Sequence, residues 1–349
     1  MITFDTNQLD TMAWNNTVIQ MLIRLGEYKG KQALYFQQSP EILTALKNVA
    51  IIQSTESSNR IEKIIVTSKR LELLVHEKVA PQDRSESEIA GYRDILEVIH
   101  SSAEHMRVNN GLIKQMHRDL MKYATGAGGR WKQADNNITE TLPNGNVLIR
   151  FVPVPAFQVD TMMQSLNTGF QAKRDNGGIG DLILIAVYVL DFLCVHPFSD
   201  GNGRMARLIT LLLLYQAGYE VGRYVSIEKI IEETKEQYYN TLYHSSMHWH
   251  EGKNNLLPWI EYFLSIMIKA YQRFEERVGS LDRGRGWKAR QVEAVIKHMM
   301  ADFTVADILE RCPGIAGPTI RQVLNKLSRE KQIESISMGR NARWRKSEI

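Results

Sequence analysis

The chain has 349 residues, 44% hydrophobic and 23% charged, a globular balance with room for two or three domains that excludes wholesale disorder. Two cysteines, Cys194 and Cys312, exclude a disulfide framework, and with no secretory signal and no apolar run longer than Leu182 to Leu190, a cytoplasmic protein without a membrane partner is expected. The net charge of +4 is uneven: from Arg283 to Ile349, 14 Lys and Arg stand against 7 Asp and Glu, a basic tail on a slightly acidic body that suggests a polyanion near the C-terminus.

Most of residues 7–275 reads as helix, with apolar residues at i, i+3, i+4 spacing over stretches such as 39–54, 86–102 and 111–123. The exception is 130–155. Here Asn144-Gly145-Asn146 between Ile138–Thr141 and Val147–Val152 predicts a β-hairpin, ended by Pro153 and Pro155 and needing something to lie against. Leu182–Leu190 and Leu208–Leu214 predict two buried helices joined by a polar loop. Trp131, Trp249 and Trp259 are expected to be packing anchors. His244 and His248 have ligand spacing, but no cysteine or His-Glu-x-x-His order accompanies them, and no metal is assigned there.

Residues 280–286 predict a linker. After it come a helix over 287–300, a short one over 304–311 with Thr304 as cap, and a third over 318–330. On the third, Ile320, Val323, Leu324 and Leu327 face inward and Thr319, Arg321, Gln322 and Asn325 outward. Strands over 333–337 and 342–346 complete a winged helix-turn-helix, a docking site for DNA or for a protein partner.

The polar loop carries the chemistry. His196-Pro197-Phe198-Ser199-Asp200-Gly201-Asn202-Gly203-Arg204-Met205-Ala206-Arg207 puts a base, a carboxylate, two glycines around an amide, and two arginines into twelve residues. Gly201-Asn202-Gly203 before a helix aims backbone N–H groups and the positive helix end at one spot, which suits phosphate. Arg204 and Arg207, three apart, can grip the same anion. Asp200 can hold Mg²⁺ between phosphates, and His196 can take a proton from a hydroxyl. Pro197 and Phe198 are expected to fix the loop on the core.

At every defined position this segment resembles the Fic family signature, His-Pro-Phe-x-(Asp/Glu)-Gly-Asn-Gly-Arg-x-x-Arg, and the similarity extends over about 85–266. The resemblance covers 113–121, the hairpin ending in Phe151-Val152-Pro153, and Gln237–Leu242. It implies a mainly α fold: a helical core with a β-hairpin flap, here with the winged helix-turn-helix appended. The domains are then an N-terminal helical region at 1–84, the core at 85–279 and the winged helix at 287–349. The implied activity is transfer of AMP from ATP, with Mg²⁺, to a Ser, Thr or Tyr hydroxyl of a target protein docked on the flap at about 136–151.

Under that resemblance His196 is the base, Asp200 the Mg²⁺ ligand, and Gly201, Asn202, Gly203 and Arg204 the phosphate cradle. Arg207 grips the γ-phosphate, and Tyr238 and Tyr239 lie near the adenine. Residues 53–63 resemble the family's inhibitory motif, (Ser/Thr)-x-x-x-Glu-(Gly/Asn), on a helix of about 53–66. Ser58 and Glu62 match it, and Lys63 stands where the pattern has Gly or Asn. Glu62 paired with Arg207 would deny it the γ-phosphate. Two rivals remain: removal of AMP or transfer of another phosphate-containing group on the same fold, and a DNA-binding regulator with a nucleotide-sensing core. A homodimer is a further expectation from the family.

Overall fold

Helical periodicity dominates the sequence, and the computed structural model is accordingly helical. It describes all residues except 39, 125–127, 142–144, 280–285, 300–301, 313–314, 338, 340–341 and 348–349. The expected linker over 280–286 therefore lies almost wholly outside the described residues, as do Asn144 of the hairpin turn and the Pro313-Gly314 turn.

The N-terminal part forms α1 (Gln8–Thr11), α2 (Asn16–Gln38), α3 (Pro40–Ile61), α4 (Ser68–Val75), α5 (Arg84–Ser102) and α6 (Asn110–Leu120). Side chains that accept backbone N–H bonds start three of these: Thr67 caps α4, Asp83 caps α5 and Asn109 caps α6. The hairpin follows, β1 (Ile138–Thr141) antiparallel to β2 (Val147–Phe151), with Glu140 opposite Leu148. Then come α7 (Val159–Asn176), α8 (Asp181–Val195), α9 (Asn202–Gln216), α10 (Ile227–Glu233), α11 (Lys235–Ser246) and α12 (Leu257–Gly279).

Helix α8 is apolar all round, so it is stable only where every face is covered. Leu182 to Phe192 are all buried, and α8 packs between α7, α9 and α12. Its one buried carboxylate, Asp191, is satisfied by Thr3 N and Oγ1 at 2.8 Å and by Trp249 Nε1 at 2.6 Å. Trp259 Nε1 donates to Ala186 O at 2.6 Å. The core built on α8 runs from Ile2 to Phe274 and so crosses the boundary drawn from sequence at 84–85.

The hairpin has the support it needs. Phe151 stacks on His250 at 5.4 Å, His250 Nε2 donates to Val152 O at 2.8 Å, and Arg150 lies over the Tyr243 ring. His250 is thereby an anchor for the strand base.

Helix α3 departs from the sequence reading. The inhibitory helix expected over 53–66 is the end of a longer helix that begins at Pro40 and stops at Ile61. Ser54, Thr55, Ser57, Ser58 and Asn59 are fully buried on it. A polar run cannot be recognised as interior from periodicity; here it is stable because α10 meets it with carboxylates. Ser54 Oγ donates to Glu228 at 2.7 Å and Ser57 Oγ to Glu232 at 2.8 Å.

The C-terminal segment forms α13 (Trp287–His298), β3 (Phe303–Thr304), α14 (Val305–Arg311), α15 (Gly317–Arg329), β4 (Ile333–Ser335) and β5 (Arg343–Lys346). Thr304 caps α14 in a reciprocal box with Asp307. Two strands were expected and three form, in the antiparallel order β3-β5-β4. Ile320, Val323, Leu324 and Leu327 sit in this segment's own core, which also takes in Ala45 of α3.

Candidate active site

The loop between α8 and α9 is held from several sides. His196 ends α8 in a left-handed conformation, φ +50°, which turns the chain sharply toward the loop. Phe198 is fully buried and stacks on the His117 ring at 3.7 Å. Gly129 N donates to His117 Nδ1 at 3.0 Å, so Nε2 carries the proton and donates to Asp200 O at 3.1 Å. Asn202 closes the loop on itself: its Oδ1 accepts from Phe198 N at 2.9 Å and its Nδ2 donates to Phe198 O at 2.8 Å. The Asn202 side chain is thus committed inside the loop, leaving its backbone N–H to the cradle.

The His196 ring has its Nδ1 3.3 Å from Leu193 O. A carbonyl only accepts, so Nδ1 bears the proton and Nε2 keeps a lone pair. Burial lowers the imidazolium pKa to about 4, which keeps the ring neutral and Nε2 unprotonated at physiological pH. Burial does the same to His117, lowering it to about 4.

Gly201 caps α9 at φ +79°, the left-handed region a glycine occupies without cost. Two turns of α9 then carry the arginines. Arg204 is 1% exposed, with Nη1 2.7 Å from Glu88 Oε2 and Nη2 3.7 Å from Asp200 Oδ1. Arg207 is 3% exposed; its Nε donates to Ser58 Oγ and its Nη2 to Ser58 O and Glu62 Oε1, each at 2.8 Å. The Glu62 carboxylate lies directly over Gly203: a Cβ there would stand 2.2 Å from Glu62 Oε1 and 3.3 Å from Arg207 Nη1.

That geometry tests the anion-site expectation. Arg207 Nη1 and Arg204 Nε are buried and make no hydrogen bond, although the helix end beside them already holds one carboxylate. Buried donors without partners are rare and costly, so the cradle has capacity for more negative charge than it holds. Phosphate oxygens fit it. Asp200 offers one hard carboxylate at the mouth, with its side chain 56% exposed and Arg84 Nη2 3.4 Å away. Among the described residues no group of three or more His, Cys, Asp or Glu could enclose a metal. One carboxylate suits Mg²⁺ only when phosphates and waters complete the shell.

Tyr238 and Tyr239 meet edge to face at 5.2 Å, but their settings differ. Tyr238 is buried against Trp259 and Tyr262 and lines a small cavity with Arg207, while Tyr239 is 44% exposed. Glu88, Glu228, Glu232 and Lys235 were not singled out from the sequence. Each lies on a helix where a charge at that spacing reads as a solvated face, and only the partner helix shows otherwise.

A helical core whose central loop opens onto a glycine-flanked helix N-terminus is the architecture that the comparisons with known proteins address. Residues 107–214 match the model of the Fic/DOC family. Among curated proteins it is 24% identical over 208 residues to one named protein adenylyltransferase Fic from Nematostella vectensis. The match takes in 57% of this chain and 45% of that one, so this chain spans less than half of its relative's length. A Fic family protein from Desulfovibrio desulfuricans superposes with a TM-score of 0.61 at 20% identity, covering 96% of this chain and 97% of that one. A Fic domain containing signaling protein from Bacteroides thetaiotaomicron gives 0.60 at 20% identity, over 76% of this chain and 97% of its own. These likenesses establish the fold.

Proposed function

We propose that the chain transfers the AMP moiety of ATP to a hydroxyl of a protein and that Glu62 holds the activity off. The observation that carries this is the Glu62 carboxylate seated over Gly203 and bonded to Arg207, beside a buried Arg207 Nη1 that has no partner. An anion already sits where the cradle takes one, supplied by the chain itself. The curated relative named an adenylyltransferase supports the same reading.

In this reaction His196 Nε2 accepts the proton of the attacking hydroxyl. The hydroxyl oxygen bonds to the α-phosphorus, the bond from that phosphorus to the bridging oxygen breaks, and pyrophosphate leaves with the electron pair. A base so placed contributes about 10²–10⁴-fold. The backbone N–H groups at 201–203 and the Arg204 and Arg207 guanidiniums would hold the phosphates, since positioning and charge neutralisation dominate such transfers. Asp200 would hold Mg²⁺, which when bound neutralises phosphate charge. The exposed strand residues Val147 and Ile149 support the hairpin as the edge to which an extended target segment would add. With Glu62 on Arg207 the triphosphate loses one of its cationic grips and sits unproductively.

Incubation with ATP labelled at the α-phosphate is expected to give weak self-labelling of the unaltered chain. Glu62→Gly should label at least about tenfold more, and His196→Ala not at all. ATP labelled at the γ-phosphate should label none of them. Equal labelling of the unaltered chain and Glu62→Gly would remove the inhibitory role, and label from the γ-phosphate would make the reaction phosphoryl transfer. The Glu62→Gly chain should stay folded, because Arg207 keeps both its bonds to Ser58.

A further inference from the structure

Helix α15 has two unlike faces. Ile320, Val323, Leu324 and Leu327 fill the core of the C-terminal segment, while Arg321, Gln322, Asn325, Lys326 and Arg329 are exposed with the whole chain present. No acidic residue occurs between Gly317 and Arg329. The segment meets the rest of the molecule elsewhere: α13 and α14 pack on α3, and Arg311 pairs with Glu72 of α4 at 3.7 Å. The outer face of α15 is therefore left to solvent.

We propose that this face binds duplex DNA, with α15 in the major groove and the β4–β5 strand pair against the backbone. A helix of this length is about 20 Å long and about 10 Å across, and the major groove is about 12 Å wide. Arginine, glutamine and asparagine are the side chains whose donor and acceptor pairs match base edges, and Arg321, Gln322 and Asn325 present all three within five residues. Exposed Arg343 on β5 and Arg329 at the end of α15 add cations at the flanks. Lys326 and Arg345 contribute less, being engaged with Glu293 and Asp302. A protein-docking face is built around a large apolar anchor, and the exposed surface of α15 has none. Among the described residues, the large exposed apolar side chains of this segment, Leu309 and Ile336, lie off that helix.

The test is fluorescence anisotropy of the full chain with a labelled mixed-sequence duplex of about 25 base pairs from about 50 to 200 mM salt. Binding should weaken steeply with salt, log affinity falling by about 0.9 per phosphate contact for each unit of log salt. Arg321→Glu with Arg329→Glu should bind at least tenfold more weakly and lower that slope by about 1, the share of Arg329, with an unchanged melting temperature. Arg107→Glu, exposed on the body, should bind like the unaltered chain. No binding at the lowest salt, equal binding by the double variant, or displacement by poly-glutamate as effective as by unlabelled duplex would each overturn the proposal.

Discussion

Lys63 lies at φ +66°, and the chain around it shows why a residue without a bulky side chain belongs there. Ile64 N donates to Asn59 O at 3.0 Å and Lys63 N to Arg60 O at 2.9 Å, the paired closing bonds of a helix that ends through a left-handed residue. The inhibitory motif that residues 53–63 resemble has Gly or Asn at this position, and here the residue is a helix stop that sets where Glu62 leaves α3. Lys63→Gly should stabilise the chain by about 0.5–1 kcal/mol and lower basal labelling, read by thermal melting and label incorporation. Gly203 gives a complementary test. In Gly203→Ala the new methyl displaces the flexible end of Glu62 but also fills the cradle. That variant should lose nucleotide affinity and show no activation, unlike Glu62→Gly; a rise in labelling would mean that displacing Glu62 is sufficient and the cradle has room to spare.

At the scale of elements, α3 is held against its neighbours by polar bonds as well as apolar packing. Glu228 of α10 accepts from Tyr92 at 2.9 Å and Ser54 at 2.7 Å, Glu232 accepts from Ser57, and Lys235 of α11 donates to Ile61 O at 2.7 Å. These bonds fix the helix whose end presents Glu62. Glu228→Ala strands the buried hydroxyls of Ser54, Tyr92 and Ser226 and should cost about 2–4 kcal/mol, with labelling raised toward that of Glu62→Gly. Glu228→Gln keeps an acceptor and should cost less. Calorimetry and label incorporation read both. The α8–loop–α9 unit and the hydrophobic face of α15 were legible in the sequence because their periodicity is unbroken. The interior of α3 was not, because serines and an asparagine are buried there only by virtue of a facing helix 170 residues away in the chain, as the Ser54–Glu228 bond spanning 174 positions shows.

For the whole molecule, imidazoles lowered by burial shape the response to acid, His76 among them. Burial lowers His100 to about 3 and His117 and His196 to about 4, so the folded chain keeps them neutral where the unfolded chain, near 6.5, takes up protons. Their stabilisation is complete above pH 6.5 and is lost as pH falls toward 4. Asp191, raised to about 6 by burial, works the other way between 3.8 and 6. Three groups outweigh one, so the melting temperature should fall by several degrees from pH 7 to pH 5, a loss on the order of a few kcal/mol. The transfer rate should stay flat over the same range, because His196 remains an unprotonated base; a rate that halves near pH 6.5 would place the titrating base in open solvent.

The sequence by itself determined the buried α8–α9 pair, the phosphate-type loop between them, the hairpin and the two-faced α15, since each is written in local periodicity and turn chemistry. Only the tertiary structure decided what the loop's arginines hold. Ser58 and Glu62 reach Arg207 across about 150 residues of chain, and the missing side chain of Gly203 leaves the space that Glu62 fills. Such contacts depend on the packing of α3 against α5 and α10, and no local pattern encodes that packing.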